Sequence, residues 1–278
     1  MSGQLVEVCE HAPAYVRAIA PYQPGKPISE LARELGLAEE SIVKLASNEN
    51  PRGASPKAMA AMRIAVEQTG RYPDGNGFAL KSALAKRHAL STDRIVLGNG
   101  SNDVLEMAAR AFLGPGSSAV YSEHAFAVYP LATQATGSTG IVVPARAYGH
   151  DLDAMSKAIR ADTRVIFVAN PNNPTGTWLP PKAVYAFLTA IPGNVLIVLD
   201  EAYNEYLEPD QRSHAVQWSQ EFPNLVVSRT FSKAYGLAGL RVGYGFSHPR
   251  VADLMNRVRQ PFNVSDIAQA AAVAALFD

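Results

Sequence analysis

A single cysteine, Cys9, among 278 residues excludes an intrachain disulfide and a cysteine-based zinc site. Neither sign of charge is in excess: Lys plus Arg and Asp plus Glu both number 25, so no basic field draws nucleic acid and no acidic tail is present. No uninterrupted apolar stretch approaches the roughly 18 residues of a membrane span. The first residues lack the charged, then apolar, then small-residue order of a secretory signal. The histidines, at 11, 88, 124, 150, 214 and 248, show no metal-ligand spacing, so no metal and no catalytic histidine is expected. These absences predict a soluble cytoplasmic enzyme without nucleic-acid or membrane partners. The hydrophobic content of 47% is that of a globular chain with a sizeable core.

Strand and helix signals alternate along that core. The proline-rich stretch 13–27 reads as an extended arm, because each proline restricts its predecessor. Ser29 is expected to cap a short helix that Gly36 closes, and Ser55-Pro56 to open another. Helices are then expected over 78–88, 103–112, 125–136, 151–160, 181–190 and 249–259, and again over the apolar run 267–277. Strands are expected at 94–97, 118–121, 141–143, 164–169, 195–199, 225–228 and 240–246. Such alternation predicts an α/β fold with a mainly parallel sheet covered by helices on both faces.

Two of these strands end in polar clusters. Val195-Leu196-Ile197-Val198-Leu199 runs into Asp200-Glu201-Ala202-Tyr203, and Leu225-Val226-Val227 runs into Ser228-Arg229-Thr230-Phe231-Ser232-Lys233, with Arg241 shortly after. Carboxyl ends of parallel strands are where α/β sheets hold ligands. Taken singly, Asp200 could be a helix cap and Lys233 a solvated loop lysine. Jointly they supply the groups that pyridoxal 5'-phosphate needs: an amine for its aldehyde, a carboxylate for its ring nitrogen, a phenol for its ring oxygen, and hydroxyls with a guanidinium for its phosphate. Gly98-Asn99-Gly100-Ser101-Asn102, entering a helix, exposes N–H groups to an anion. A dinucleotide fingerprint competes there but needs glycine at 103, where the chain has Asp103. Glu201 and Glu49 could act as bases, although a structural carboxylate is the plainer reading of each. Phe126 could be a core aromatic or a ring stacked on a cofactor.

These segments, with Asn170-Pro171-Asn172-Asn173-Pro174-Thr175-Gly176, resemble the fold-type I pyridoxal-phosphate aminotransferases. Lys44-Leu45-Ala46-Ser47-Asn48-Glu49-Asn50-Pro51, Arg71-Tyr72-Pro73-Asp74 and the run from Gly236 to Tyr244 resemble, more narrowly, the histidinol-phosphate aminotransferase family. The resemblance covers the chain from about Ala20 onward.

It implies catalytic roles for Lys233, Asp200 and Tyr203. It assigns the cofactor phosphate to backbone groups near Ser101 and Asn102, the Thr230 and Ser232 hydroxyls and Arg241. Phe126 would stack on the ring, Asn173 would share the ring oxygen with Tyr203, and Tyr22 and Asn48 would lie near the substrate. Tyr72 would reach the neighbouring subunit's cofactor phosphate, which implies a homodimer. Residues 1–50 would form an arm and the start of a small domain, and 51–278 the large cofactor-binding domain. The family's C-terminal small domain is expected to be missing, since the helical pattern runs to Asp278 with nothing to cap it. The activity implied is transfer of an amino group between L-glutamate and imidazole acetol phosphate. An aromatic or broad-range aminotransferase, a phosphothreonine-type decarboxylase and a non-catalytic cofactor-binding module remain as alternatives.

Overall fold

The computed structural model describes residues 8–278. Seven strands form one sheet: β1 (Ile95–Gly98), β2 (Ser118–Ser122), β3 (Thr139–Val143), β4 (Thr163–Ala169), β5 (Leu196–Asp200), β6 (Leu225–Thr230) and β7 (Gly243–Phe246), in the order β1-β7-β6-β5-β4-β2-β3. Only β7 opposes the others, pairing antiparallel with both β1 and β6.

The helices are α1 (Ala14–Arg17), α2 (Ile28–Leu35), α3 (Pro56–Val66), α4 (Phe78–His88), α5 (Ser101–Phe112), α6 (Val128–Ala135), α7 (Leu152–Lys157), α8 (Pro181–Ala190), α9 (Ala215–Trp218), α10 (Pro249–Arg257) and α11 (Asp266–Ala275). Because side chains alternate along a strand, the central strands feed two cores. Ile166, Val168, Ile197, Leu199, Leu225 and Val227 pack with α3, α4, α7, α8 and α11. Val165, Phe167, Leu196, Val198 and Val226 pack on the other face with Val104 and Leu105 of α5, Tyr129 of α6 and Met255 of α10. The expected mainly parallel sheet with helices on both faces is therefore found.

Several boundaries differ from expectation. α6 begins at Val128 instead of 125, and the His124 carbonyl just before it accepts from Asn172 Nδ2 at 2.7 Å. β7 begins at Gly243, since Arg241 sits in the left-handed region with φ 55° and breaks the extended run. Ser29 does not cap α2, which starts directly after Pro27, although Gly36 closes it as expected with φ 66°. Ser55 caps α3 by accepting from Ala58 N, with Pro56 at the first helical position. Along its length α11 packs closely on α3 through the buried small residues Ala268, Ala271, Ala272 and Ala275, and Asp278 meets Lys57 at 2.9 Å.

Candidate active site

A cavity of about 760 Å³ opens at the carboxyl ends of β4, β5 and β6, beside the turn that leaves β1. Tyr22, Asn48, Ser101, Asn102, Phe126, Asn173, Asp200, Tyr203, Thr230, Ser232, Lys233 and Arg241 all line it. Tyr72 does not. It is 81% exposed, and its ring stacks on Phe262 with centroids 4.7 Å apart.

Asp200 is the last residue of β5, and its neighbours in register are Ala169 and Ser228, so its carboxylate is carried by the middle of the sheet. Oδ2 accepts from the Tyr129 hydroxyl at 2.9 Å and Oδ1 from Ala202 N at 3.2 Å. Burial raises its pKa to about 6 against these two donors. Tyr129 is itself fully buried, stacked on Phe167 and edge-on to Phe126. Burial and the adjacent carboxylate hold its phenol well above the ordinary range. Sequence reasoning did not single it out. The available signal was a phenol one helical turn after Phe126, where a purely apolar core position would not require a hydroxyl.

Tyr203 follows the 200–202 turn, and its hydroxyl accepts from Asn48 Nδ2 at 2.9 Å. Burial raises its pKa too. Lys233 donates from Nζ to the Ser47 carbonyl at 2.9 Å and lies 5.6 Å from the Tyr203 ring centroid. Burial lowers the amine's pKa, with Glu49 and Asp200 opposing that shift and Arg241 adding to it. A lysine held this way is closer to a nucleophile than a solvated one. Its partner segment is strained: Ser47 and Asn48 both have positive φ, 71° and 51°, which non-glycine residues rarely adopt.

The anion cradle joins three chain segments. Gly100, with φ 79°, turns β1 into α5, whose first N–H groups face the cavity mouth. Arg241 Nη1 donates to Ser232 Oγ at 3.2 Å and to the Ala238 carbonyl at 3.0 Å. Thr230 Oγ1 accepts from Ser232 N at 3.1 Å. A Cβ on Gly243 would run into the backbone at Ser101 N, so that glycine is required by close approach, whereas Gly100, beside the movable Arg241 guanidinium, is required by its φ of 79°. Asp103 accounts for the missing third glycine. Its Oδ2 accepts from Asn99 N at 2.9 Å and Asn263 Nδ2 at 2.6 Å, which pins the loop.

Glu201 is a structural carboxylate, as the plainer reading expects, and it is buried. It is 1% exposed and accepts from Arg229 Nε and Nη2 at 3.0 and 2.7 Å, with Ser213 on its other oxygen. Glu205 approaches the same guanidinium at 3.8 Å. Glu49 pairs with Lys44 at 3.0 Å at the cavity rim. Among the described residues no group of three or more His, Cys, Asp or Glu could hold a metal ion, and no helix is long and apolar enough to cross a membrane.

One cavity thus holds a desolvated amine, a buried carboxylate bonded to a buried phenol, and a cradle of N–H, hydroxyl and guanidinium donors. The family model for aminotransferase class I and II matches residues 40–278. The chain is 64% identical to histidinol-phosphate aminotransferase 2 of Nitrosospira multiformis, over 98% of its own length and 70% of the relative's. It is likewise 64% identical to the histidinol-phosphate aminotransferase of Methylobacillus flagellatus, covering 74% of that protein. Among solved structures, the Sinorhizobium meliloti histidinol-phosphate aminotransferase in complex with pyridoxal-5'-phosphate matches with a TM-score of 0.86 and 32% identity, over 96% of this chain and 71% of that one. Aspartate aminotransferase of Thermus thermophilus, at 23% identity and a TM-score of 0.80, shares the fold. With its sheet, its cavity and these likenesses in agreement, the chain belongs to the class I and II aminotransferases and, among them, to the histidinol-phosphate aminotransferases.

Proposed function

We propose that the chain moves an amino group between L-glutamate and imidazole acetol phosphate, interconverting the latter with L-histidinol phosphate by means of pyridoxal 5'-phosphate, a step of histidine biosynthesis. The observation that carries the cofactor assignment is the convergence of Lys233, Asp200 and the Gly100–Arg241 cradle in one cavity. The residues fit the group. A buried carboxylate whose burial is only partly offset by two donors is matched to a cationic ring, and the Thr230 and Ser232 hydroxyls, the Arg241 guanidinium and the start of α5 at Ser101 and Asn102, which share the cavity wall, are matched to a phosphate.

When bound, the cofactor supplies an aldehyde for the amine and a cationic ring that draws electrons from the substrate's α-carbon. Arg241, Ser232, Thr230 and the α5 N-terminus hold its phosphate, the guanidinium by a planar fork that can donate twice. Asp200 keeps the ring nitrogen protonated. Two unit charges about 4 Å apart interact by roughly 4 kcal/mol at an effective dielectric of 20, enough to raise the ring's pKa by a few units. Tyr203 and Asn173 donate to the ring oxygen and Phe126 covers the ring face. Lys233 would hold the aldehyde through its amine and would serve as the base and acid for the proton at the substrate's α-carbon. Tyr22 and Asn48 border the substrate.

Tyr72, exposed and away from its own chain's cavity, is assigned to the partner subunit's site in a homodimer. The same reading makes residues 51–278 the large domain and 1–50 the arm and the start of a small one, in a cytoplasmic enzyme. The test is substrate competition in the cofactor-loaded protein, with histidinol phosphate compared against phenylalanine and phosphothreonine as amino donors to 2-oxoglutarate. Histidinol phosphate should react with the highest kcat/KM. A preference for phenylalanine would move the substrate assignment to the aromatic aminotransferases, and carbon dioxide release from phosphothreonine to a decarboxylase. Lys233→Ala should abolish borohydride fixation of the cofactor, and peptide mapping that finds the label elsewhere would remove Lys233 from its role.

A further inference from the structure

The loop leaving β4 carries Asn173 into the cavity, and its neighbours hold it with unusual completeness. Asn170 N donates to the Asp200 carbonyl at 2.9 Å, and the Asn170 side chain exchanges bonds with Leu179 N and O at 2.8 and 3.0 Å. Asn172 N donates to the Thr177 carbonyl at 2.8 Å, while Asn172 Nδ2 donates to the His124 carbonyl and to Thr175 Oγ1 at 2.7 and 2.8 Å. Among the buried atoms beside this loop that have no bond of ordinary geometry, with Trp178 Nε1, are Asn172 Oδ1 and His150 Nδ1. His150 is 6% exposed, and its Nε2 accepts from Ala169 N, the last residue of β4, at 3.2 Å. A neutral imidazole that accepts at Nε2 carries its proton on Nδ1. His150 Nδ1 and Asn172 Oδ1 are therefore a donor and an acceptor. The Asn172 side chain acts on His150 as an acceptor does, raising its proton affinity, while burial dominates and lowers the pKa to about 4. The ring thus stays neutral across the physiological range.

We propose that His150 is a positioning residue of the cofactor site: accepting from Ala169 N–H and donating to the Asn172 carboxamide oxygen, it fixes the 170–175 loop so that Asn173 faces the cofactor. The proposal rests on the assignment of Asn173 to the cofactor's ring oxygen given above. A donor there stabilises the oxygen's anion and lowers the pH at which the cofactor's visible absorbance titrates, so a misplaced Asn173 raises that midpoint.

The test uses the cofactor-loaded protein. His150→Leu should raise the midpoint by about half a unit to one unit, the scale of one lost hydrogen bond. His150→Gln should restore it, since one carboxamide can accept from Ala169 N and donate to Asn172. Asn173→Ala should produce the same rise, and adding His150→Leu to it should add nothing. Additive shifts, or a midpoint that moves in Asn173→Ala but not in His150→Leu, would overturn the proposal. Side-chain nitrogen NMR of the wild-type protein reads the bonds directly. An Nδ1–H tautomer that does not titrate between pH 5 and 9 is expected; an Nε2–H tautomer, or titration near the ordinary value of about 6.5, overturns the proposal whatever Asn173 does. If Asn173→Ala leaves the midpoint unchanged while the tautomer is as stated, the failure lies with the role given to Asn173, and the claim on His150 as a cofactor-positioning group falls with it.

Discussion

Replacing Asp200 by asparagine should stabilise the cofactor-free protein while disabling the enzyme. Folding raises the Asp200 pKa from 3.8 to about 6, chiefly by burial. A raised value means that the folded state holds the proton more tightly than the unfolded one. The contribution to stability is therefore fully present below pH 3.8 and is lost as the pH rises through about 6. A shift of about two units corresponds to roughly 3 kcal/mol of cost at neutral pH, taken as an upper bound. Asparagine fits the same bonds. Its oxygen takes the Ala202 N–H, and its amide faces the Tyr129 hydroxyl, which can accept as well as donate. Urea denaturation of cofactor-free wild type and Asp200→Asn at pH 4.5, 6 and 7.5 measures the difference. The variant should gain up to about 3 kcal/mol at pH 7.5, and the gain should shrink towards zero at the acid end. With cofactor bound, the order should reverse and turnover should fall steeply, because the charge that burdens the empty cavity is the one that faces the ring. Equal stability at pH 7.5, or a gap that does not change with pH, would refute the reasoning.

Arg241→Lys should weaken cofactor binding about 10- to 100-fold, the loss of one charge-assisted contact of roughly 1.5–3 kcal/mol, with less effect on chemistry once the site is saturated. Titration of cofactor-free protein checks it, and unchanged affinity would move the phosphate elsewhere. Glu201→Gln should destabilise the fold by about 3–5 kcal/mol, because it strips the buried Arg229 of its full countercharge. Its turnover under folding conditions should stay near wild type, as befits a group that carries no proton in the reaction, and a loss of activity without a loss of stability would make it a base after all.

Much of this site was legible because its residues sit where apolar runs end. Asp200, Thr230 and Asn170 each mark the point at which a buried strand meets the cavity, and a run of β-branched residues followed by a polar cluster is visible in sequence. A helix with a strong local signal, such as α3 with its serine cap and first-turn proline, is legible directly. The turns are not, because long-range bonds hold them: the His124 carbonyl is claimed by Asn172, and the left-handed Arg241 is held over Gly100 by the cradle. Tyr129 and His150 are harder to read for a related reason. Each acts through buried bonds to another segment of the chain, and beyond the phenol of Tyr129 nothing local distinguishes them from ordinary core positions.

The lone reversed strand sets a schedule for the enzyme's birth. β1 pairs only with β7, Gly98 lying opposite Gly243, so the turn beside it has no sheet partner until the later strand arrives. At synthesis rates of about 5–20 residues per second, that wait is roughly ten to thirty seconds on the ribosome. A nascent chain halted before Gly243 already contains Asp200 and Lys233, yet it lacks both the strand that draws the Gly100 turn against them and a fixed mount for Arg241. Vitamin supply should therefore act on finished chains alone, rescuing those that have completed their sheet from degradation and leaving shorter nascent ones to chaperones.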